Sequence, residues 1–345
     1  MIIGLVDRLH DRPVRIRAAL LAAGLLCAFG LPWTLYPPVA TDILCWGLFA
    51  VAFDLLLGHA GLLSFGHAAF WGTSAYVTGL IALHSGLPFY AAVLGGAVAA
   101  ALLAAPIGWL AVRRSGIYFA MVTLAFAQMV YFVANQWEGV TGGENGLQGI
   151  PRELFGLDLS DAFVFYYAAL PVALIALAAA WRILHSPFGR VVTAVRENPD
   201  RVRALGYSAD RYKLVVFVIS AFLSGLAGGL YAVNHGFASL QEVDWTTSGK
   251  VVVMTVLGGI GTLWGSLIGA AAVIRLEDWL STAGFEQTDM VTGTVFIVAV
   301  LVFRRGVWGT VAHALRRRSG PGIAGHTTGP PAREGQDEAT QHVAS

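Results

Sequence analysis

The chain has 345 residues, of which 56% are hydrophobic and only 12% are charged, and its formal net charge is +1. Soluble domains average about 25% charged residues, and even large ones bury only about 75% of the surface that their unfolded chain exposes. One soluble core could not hide this much apolar surface. Soluble enzymes, nucleic-acid-binding proteins and disordered proteins are therefore excluded as overall classes, and the composition predicts an all-α, polytopic membrane protein.

Apolar stretches long enough to cross a membrane recur along the chain. A spanning helix needs about 20 mostly apolar residues. By this criterion there are about ten predicted spans, at 18–35, 39–57, 66–83, 88–112, 116–136, 162–182, 213–233, 246–261, 264–281 and 290–304. The first follows four arginines, but no small-residue cleavage pattern follows it, so we interpret it as a retained helix and not as a secretory signal. The glycine-rich stretches 58–66 and 258–265 are the least regular parts of the pattern.

The basic residues predict the orientation, because Lys and Arg collect on the cytoplasmic side of a membrane. With ten spans and a cytoplasmic N-terminus, 18 of the 22 Lys and Arg residues fall in inner segments beside the spans, seven of them between Arg182 and Lys213, and Arg333 of the tail is also inside. Arg152 lies in a clearly external segment. We therefore expect both termini inside, with a cytoplasmic N-terminal segment at 1–17 and a transmembrane domain at 18–305. The polar composition of 319–345 predicts a disordered cytoplasmic tail.

Two connections are longer than turns. The external loop, 137–161, is rich in glycine, which suits tight turns with positive φ. The cytoplasmic loop, 185–212, predicts two short helices, since Ser186 and Asn198 can each cap a helix that has proline at its first position. Gly206 follows the second helix, where a left-handed residue is favoured. An ordinary solvated loop and a docking element for a soluble partner both fit these residues, with Val195, Ala204 and Leu205 as apolar contacts.

Four sequence blocks, in family order and covering roughly 40–305, resemble the LivM-type permease subunits of branched-chain amino acid ABC importers. The blocks are Gly61–Phe70 with Ala75 and Tyr76; Thr141–Gly143 with Asn145–Leu147; Gly189–Gly206 with Tyr212–Ala232; and Gly258, Gly259, Gly261–Leu263 and Gly265. Any one block is weak evidence, but four together are specific.

The resemblance implies that the cytoplasmic loop contacts the ATPase. The coupling residues carried over are Gly189, Arg190, Ala194, Arg196, Glu197, Asn198, Pro199, Arg203, Ala204, Leu205 and Gly206. It also implies two ABC ATPase subunits of the LivG/LivF type, a LivH-type permease partner and a periplasmic solute-binding protein. The protein would then be a multi-pass protein of the bacterial inner membrane, surrounded by lipid and without a nucleic-acid partner.

Motifs for chemistry are absent from the sequence. A phosphate-binding loop ends in Gly-Lys-Ser/Thr. The nearest match, Ser248–Val251, has valine where the metal-binding hydroxyl should be. No zinc-ligand spacing and no nucleophile motif occurs, so we expect no catalytic residue, no metal and no cofactor. ATP hydrolysis would occur in separate subunits.

Polar residues inside spans are costly and suggest function. Those that qualify are Asp54, His59, Ser64, His67, Thr123, Gln128 and Asn135. For Asp54 and His59, an ion pair or a hydrogen bond to backbone is favoured over solute contact. For Ser64 and His67, broken backbone lining a cavity and close helix packing both remain open. Gln128 and Asn135 share one helix face because they are seven residues apart. The candidate translocation pathway therefore comprises Ser64, His67, Gln128 and Asn135.

A repeated Gly-x-x-Gly-x-Leu spacing, at Gly58–Leu63 and at Gly258–Leu263, also fits an internal duplication or a chance match in a glycine-rich chain. The expected function is a permease for branched-chain or related amino acids. A permease for urea, amides or another small solute is the alternative, and a stand-alone membrane enzyme or receptor is the hypothesis from a different class.

Overall fold

The computed structural model describes residues 28–154, 157–283 and 293–294, without the side chains of 153–158. The predicted segment 1–17, most of the spans 18–35 and 290–304, and the tail 319–345 lie outside the described residues.

The described chain is mostly helical, as predicted. Its helices are α1 (Pro37–Asp54), α2 (His67–Ser85), α3 (Phe89–Ala111), α4 (Ile117–Gln136), α5 (Glu138–Thr141), α6 (Ala162–Leu184), α7 (Pro187–Glu197), α8 (Pro199–Ala204), α9 (Ala209–His235), α10 (Trp245–Gly258) and α11 (Leu263–Thr282). A π-helical turn, Leu55–Ala60, continues α1, and 3₁₀ turns occupy Gly143–Asn145 and Leu240–Glu242. The strands are β1 (Leu147–Gln148), β2 (Glu153–Leu154), β3 (Leu157–Asp158) and β4 (Phe237–Ala238).

Five of the described helices are long and apolar enough to span a membrane. They are α1 with its π turn, α3, α4, α6 and α9, and they match the predicted spans 39–57, 88–112, 116–136, 162–182 and 213–233. The predicted span 66–83 forms α2, a 19-residue helix that is not among the five.

The helices α10 and α11 form a pair bent by 118°, which counts as one broken span or as a re-entrant loop. The sequence predicts two spans here, 246–261 and 264–281. With 14 residues, α10 is about 21 Å long at 1.5 Å per residue, which is short of a hydrocarbon core of about 30 Å. Among the described residues, five or six spans are therefore identified by length and composition.

Helix α1 lies at the centre of the fold, and every residue from Ile43 to Asp54 is buried. Small residues bring α9 close to its neighbours α2 and α3. A Cβ atom at Gly228 would lie 2.8 Å from the carbonyl carbon of Trp71, and one at Gly225 would lie 2.9 Å from Ala97 Cα. Glycine at these positions therefore permits backbone contact between helices, as is usual in membrane bundles.

The two ends of the bundle differ in structure. At one end, which we call the strand end, β1 pairs antiparallel with β4, so that the predicted external loop is tied to the end of α9. Arg152 strengthens this tie, because its guanidinium donates hydrogen bonds to the carbonyl oxygens of Val233 (3.0 Å) and Asn234. These carbonyls belong to the last turn of α9 and lack helical partners. The opposite end, which carries 185–212, is called the loop end.

Candidate functional site

The loop end is built by α7 and α8, whose caps agree with the sequence. Ser186 Oγ accepts a hydrogen bond from the Gly189 amide at 3.3 Å, and Asn198 Oδ1 accepts one from the Arg201 amide at 2.9 Å. Gly206 has the predicted positive φ, 86°. A Cβ at Gly189 would lie 2.6 Å from the Ile183 carbonyl oxygen, so glycine is needed where α7 folds back on α6.

Both short helices pack on the bundle, as a six-residue helix must, because it is not stable alone. Val192 joins an apolar cluster with Leu56 of the π turn and Phe217 of α9. Val195 and Val202 form a second cluster with Ala209 and are 2% and 5% exposed. The interpretation of Val195 as a partner contact is therefore wrong, because its side chain is buried against other residues of the same chain.

The residues left for a partner lie at the ends of α7 and α8. Leu205 is 72% exposed, and Ala204 is exposed beside it. Glu197, at the end of α7, is also exposed. Arg203 instead makes intramolecular ion pairs with Asp200 (3.0 Å) and Asp210 (3.3 Å).

Of the other predicted coupling residues, Arg190 and Asn198 are exposed, and Ala194 and Pro199 are half-buried. The 185–212 segment therefore has one face turned to the bundle and one face open.

Arg196 connects the two faces. Its guanidinium donates a hydrogen bond to the carbonyl oxygen of Gly58 in the π turn. Its stem lies against Gly61, where a Cβ would be 2.8 Å from Arg196 Cγ. Gly61 has φ +72°, a conformation that glycine adopts without strain. The arginine that the sequence assigns to a partner thus also binds the end of the central helix.

Asp54, the last residue of α1, connects the end of this helix to the bent pair α10–α11. It is fully buried, and its Oδ1 accepts a hydrogen bond from the Gly261 amide at 2.7 Å. His59 Nδ1 lies 3.8 Å from Asp54 Oδ2, which has no hydrogen-bond partner among the described residues. The prediction that Asp54 forms a hydrogen bond with backbone is confirmed, with the Gly261 amide as the donor.

The two Gly-x-x-Gly-x-Leu stretches therefore touch. A Cβ at Gly58 would lie 2.5 Å from the backbone nitrogen of Gly261 and 2.7 Å from its Cα. The first stretch ends α1, and the second connects α10 to α11. We call the contact formed by Asp54, Gly58, Arg196 and Gly261 the glycine junction. Both breaks in the membrane helices are thus in contact with the 185–212 loop through one arginine.

A cleft of about 460 Å³ opens beside the glycine junction. Its lining includes Leu57 and Gly61 of the first break, Ile260 of the second, and the cations Arg196 and Lys213. The cleft therefore offers positive charge next to both breaks.

The four candidate pathway residues do not form one surface. His67 is fully buried, and its Nε2 is 2.8 Å from Ser220 Oγ. Its ring also meets the rings of Phe53, Phe70 and Phe217 edge-on. Such enclosure is typical of packing, so the structure favours that alternative for His67.

Ser64 is fully buried as well, and its Oγ accepts a hydrogen bond from the Gly66 amide at 3.2 Å. Gln128 lies on the exposed side of α4, and Asn135, about two turns further along the same face, is half-buried. Thr123 is buried on the opposite side of α4. The structure therefore leaves Gln128 as the pathway candidate that faces out of the chain.

Sequence reasoning passed over two charged pairs within the apolar helices. One, between Arg275 and Asp278, lies within α11, where the Arg275 side chain is 54% exposed. The other connects α10 to α11. Lys250 Nζ of α10 lies 2.6 Å from Glu277 Oε2 of α11. Both fall inside the predicted spans 246–261 and 264–281, so the same rule that selected Asp54 could have selected them. In the part of the chain that the structure describes, no three His, Cys, Asp or Glu side chains are placed to hold a metal ion.

Comparison with known proteins gives a family match over most of the chain. The family model described as "Branched-chain amino acid transport system / permease component" matches residues 38–300. The high-affinity branched-chain amino acid transport system permease protein LivM of Salmonella typhimurium is 30% identical over 311 residues, covering 82% of this chain and 72% of that protein. The LivM protein of Escherichia coli is 31% identical over 290 residues, covering 77% and 68%.

A more distant relative has a different solute in its name. The autoinducer 2 import system permease protein LsrC of Yersinia pseudotuberculosis is 28% identical over 239 residues, covering 66% of this chain and 67% of that protein.

Proposed function

Because the chain belongs to the family of permease components of branched-chain amino acid transport systems, we propose that it is the transmembrane permease subunit of a bacterial ABC importer for branched-chain or related amino acids. The family is that of a multi-pass membrane component of a transporter and not of a catalytic enzyme. The LivM relatives favour amino acids over urea or amides as the solute.

The observation that carries the mechanism is the glycine junction. ATPase subunits that bind the 185–212 loop would move α7, and Arg196 would transmit that movement to Gly58 at the end of α1. The hydrogen bond from Gly261 to Asp54 carries the movement on to the bent pair α10–α11. Packed elements respond to such a push by moving as units, because a close-packed core does not deform smoothly. Access to the pathway would then alternate between the two sides of the membrane.

We propose about ten spans in the whole chain, with both termini and the loop end in the cytoplasm. Seven of the basic residues lie between Arg182 and Lys213, and such clusters resist translocation. The strand end would then face the periplasm and receive the solute-binding protein on 137–161.

Cysteine labelling tests this orientation. In a Cys27→Ser/Cys45→Ser background, we expect Gln148→Cys at the strand end to react with a membrane-impermeant maleimide in intact spheroplasts. Ser208→Cys, which is also exposed but lies at the loop end, should react only after the membrane is permeabilised. Labelling of Ser208→Cys in sealed spheroplasts would contradict the orientation.

Partner ATPases of the LivG/LivF type are proposed to bind the exposed face of the loop. Leu205→Asp should weaken co-purification of the ATPase subunits by about 10-fold to 100-fold, since burying a leucine side chain is worth about 1.5–3 kcal/mol. The matched control is Leu87→Asp, the same change at a leucine 50% exposed in the connection between α2 and α3 at the strand end. Equal ATPase recovery with both variants would argue against the loop as the ATPase-binding site.

The function itself is tested by the whole assembly. Purified with its ATPase and LivH-type partners and placed in liposomes, the complex should take up L-leucine when ATP and the loaded binding protein are present. ATP hydrolysis by this chain alone would point to a stand-alone enzyme. A binding protein that binds urea and no amino acid in a ligand panel would select the alternative permease.

A further inference from the structure

A charged pair lies within the apolar helices α10 and α11. Lys250 Nζ is 2.6 Å from Glu277 Oε2, and each side chain is 28% exposed. Charges among membrane-spanning helices are costly and almost always line a pathway or bind a partner group. A pair that keeps more than a quarter of its surface accessible can exchange its partners.

Aromatic rings lie next to this pair. Lys250 Nζ lies 4.3 Å from the ring centroid of Trp46. The Trp46 ring is 5.1 Å from Trp71 and 6.2 Å from Tyr231, and Trp71 is 5.2 Å from Tyr231. The Trp71 side chain is fully buried, and its Nε1–H donates to no group in the described ranges. A buried donor without an acceptor costs free energy, so it marks a place where a polar group can add a hydrogen bond.

A second carboxylate, Asp42, lies one turn before Trp46 on α1. Asp42 Oδ1 accepts hydrogen bonds from Asn234 Nδ2 (3.0 Å) and His235 Nε2 (2.9 Å), and its side chain is 20% exposed. The His235 ring in turn lies 4.2 Å from the Tyr231 ring, which connects Asp42 to the aromatic group. A third acid, Glu242, is only 7% exposed, and its Oε2 accepts a hydrogen bond from the Ser239 amide. Asp42 and Glu277, whose side chains are 20% and 28% exposed, are therefore the accessible acids.

We propose that Asp42, Trp46, Trp71, Tyr231, Lys250 and Glu277 form a binding site for the zwitterionic head group of the transported amino acid. We call this set the zwitterion site. Glu277 and Asp42 bind the ammonium group above the rings of Trp46 and Tyr231, since aromatic faces attract cations. Lys250 binds the α-carboxylate. The proposal rests on the proposed function and narrows it to solutes that carry both charges, which excludes urea and neutral amides.

Charge balance makes such a site workable inside apolar helices. Without solute, Lys250 and Glu277 neutralise each other. A zwitterion replaces that one pair by two, so neither Lys250 nor Glu277 is left unpaired while the solute is bound, and Asp42 keeps its hydrogen bonds to Asn234 and His235. An uncharged solute could form hydrogen bonds with these side chains but no ion pair with either.

The competing explanation is that the pair only holds α10 against α11. The two explanations predict different results for paired replacement, because exchanging a structural ion pair for apolar residues of similar size is often neutral or stabilising. A solute site loses its function under the same exchange.

The test measures L-leucine uptake per ATP hydrolysed by the full importer in proteoliposomes, with its binding protein. Glu277→Gln, Lys250→Met and the double variant Lys250→Met/Glu277→Met are each expected to lower uptake about 10-fold or more, as for loss of one charge-assisted hydrogen bond. The matched control is Arg275→Gln/Asp278→Asn, which removes a neighbouring, more exposed pair of the same helix. That control should stay within about two-fold of the wild type, as exposed ion pairs contribute little.

Wild-type uptake by the double variant would overturn the zwitterion site and leave the proposed function standing. The zwitterion site would also be contradicted if neither the double variant nor Lys250→Arg assembled with the partner subunits. Lys250 and Glu277 would then be needed for the packing of the helices. If the wild-type importer itself takes up no L-leucine, the proposed function fails.

Discussion

Arg196→Glu is expected to uncouple the transporter, so that ATP is hydrolysed but L-leucine is not taken up. The substitution removes the donor that holds Gly58 and places a carboxylate near buried Asp54. Loss of a hydrogen bond from a charged group costs about 1.5–3 kcal/mol, and the like charge adds to this. The measurement is the ratio of L-leucine uptake to ATP hydrolysis in proteoliposomes.

The control for this prediction is Arg114→Glu, which makes the same charge change at an exposed arginine just beyond α3, outside the 185–212 loop. It should retain the wild-type ratio. A normal ratio in Arg196→Glu would show that the glycine junction does not transmit the movement. Loss of both activities together with loss of ATPase co-purification would instead assign Arg196 to docking.

Gly58→Ala should lower both the thermal stability of the protein and its transport. The new methyl group would overlap the backbone of Gly261, which cannot rotate away, and Asp54 Oδ1, which the Gly261 amide holds by a hydrogen bond. Overpacking of this kind costs about 1–3 kcal/mol. With an unfolding entropy of about 2.1 cal/mol/K per residue, each kcal/mol lowers the Tm of a 345-residue chain by about 1–2 °C, which differential scanning fluorimetry of the purified permease can measure.

Gly249→Ala is the matched control, because Gly249 is half-buried in α10 and its Cβ would meet no atom within 4 Å. Since alanine is the better helix former by about 0.5–1 kcal/mol, this variant should match or exceed the wild-type Tm. A Gly58→Ala protein with unchanged Tm and uptake would contradict the tight contact between the two helix breaks.

The pathway residues illustrate the limit of reasoning from type and spacing. The seven-residue step from Gln128 to Asn135 places both residues on one face of α4. How exposed each side chain is depends on which helices pack against α4. His67 is a polar residue in an apolar helix, like Lys250. Three aromatic rings enclose His67, whereas Lys250 keeps an accessible charge beside Glu277. The 27 residues that separate Lys250 from Glu277 hide that pairing from any local pattern.

The sequence alone determined the features that depend on neighbouring residues. Apolar length predicted α1, α3, α4, α6 and α9, because a helix satisfies its own backbone hydrogen bonds. The caps at Ser186 and Asn198 followed from side chains that reach an amide three residues away.

The tertiary structure decided what depends on distant contacts. It bent α10 against α11, buried Val195, joined Asp54 to Gly261 across 207 positions and turned Arg196 toward Gly58. A repeated Gly-x-x-Gly-x-Leu spacing predicts two similar breaks in helices. Only the packing of whole helices, in which missing side chains let backbones approach, brings those breaks into contact.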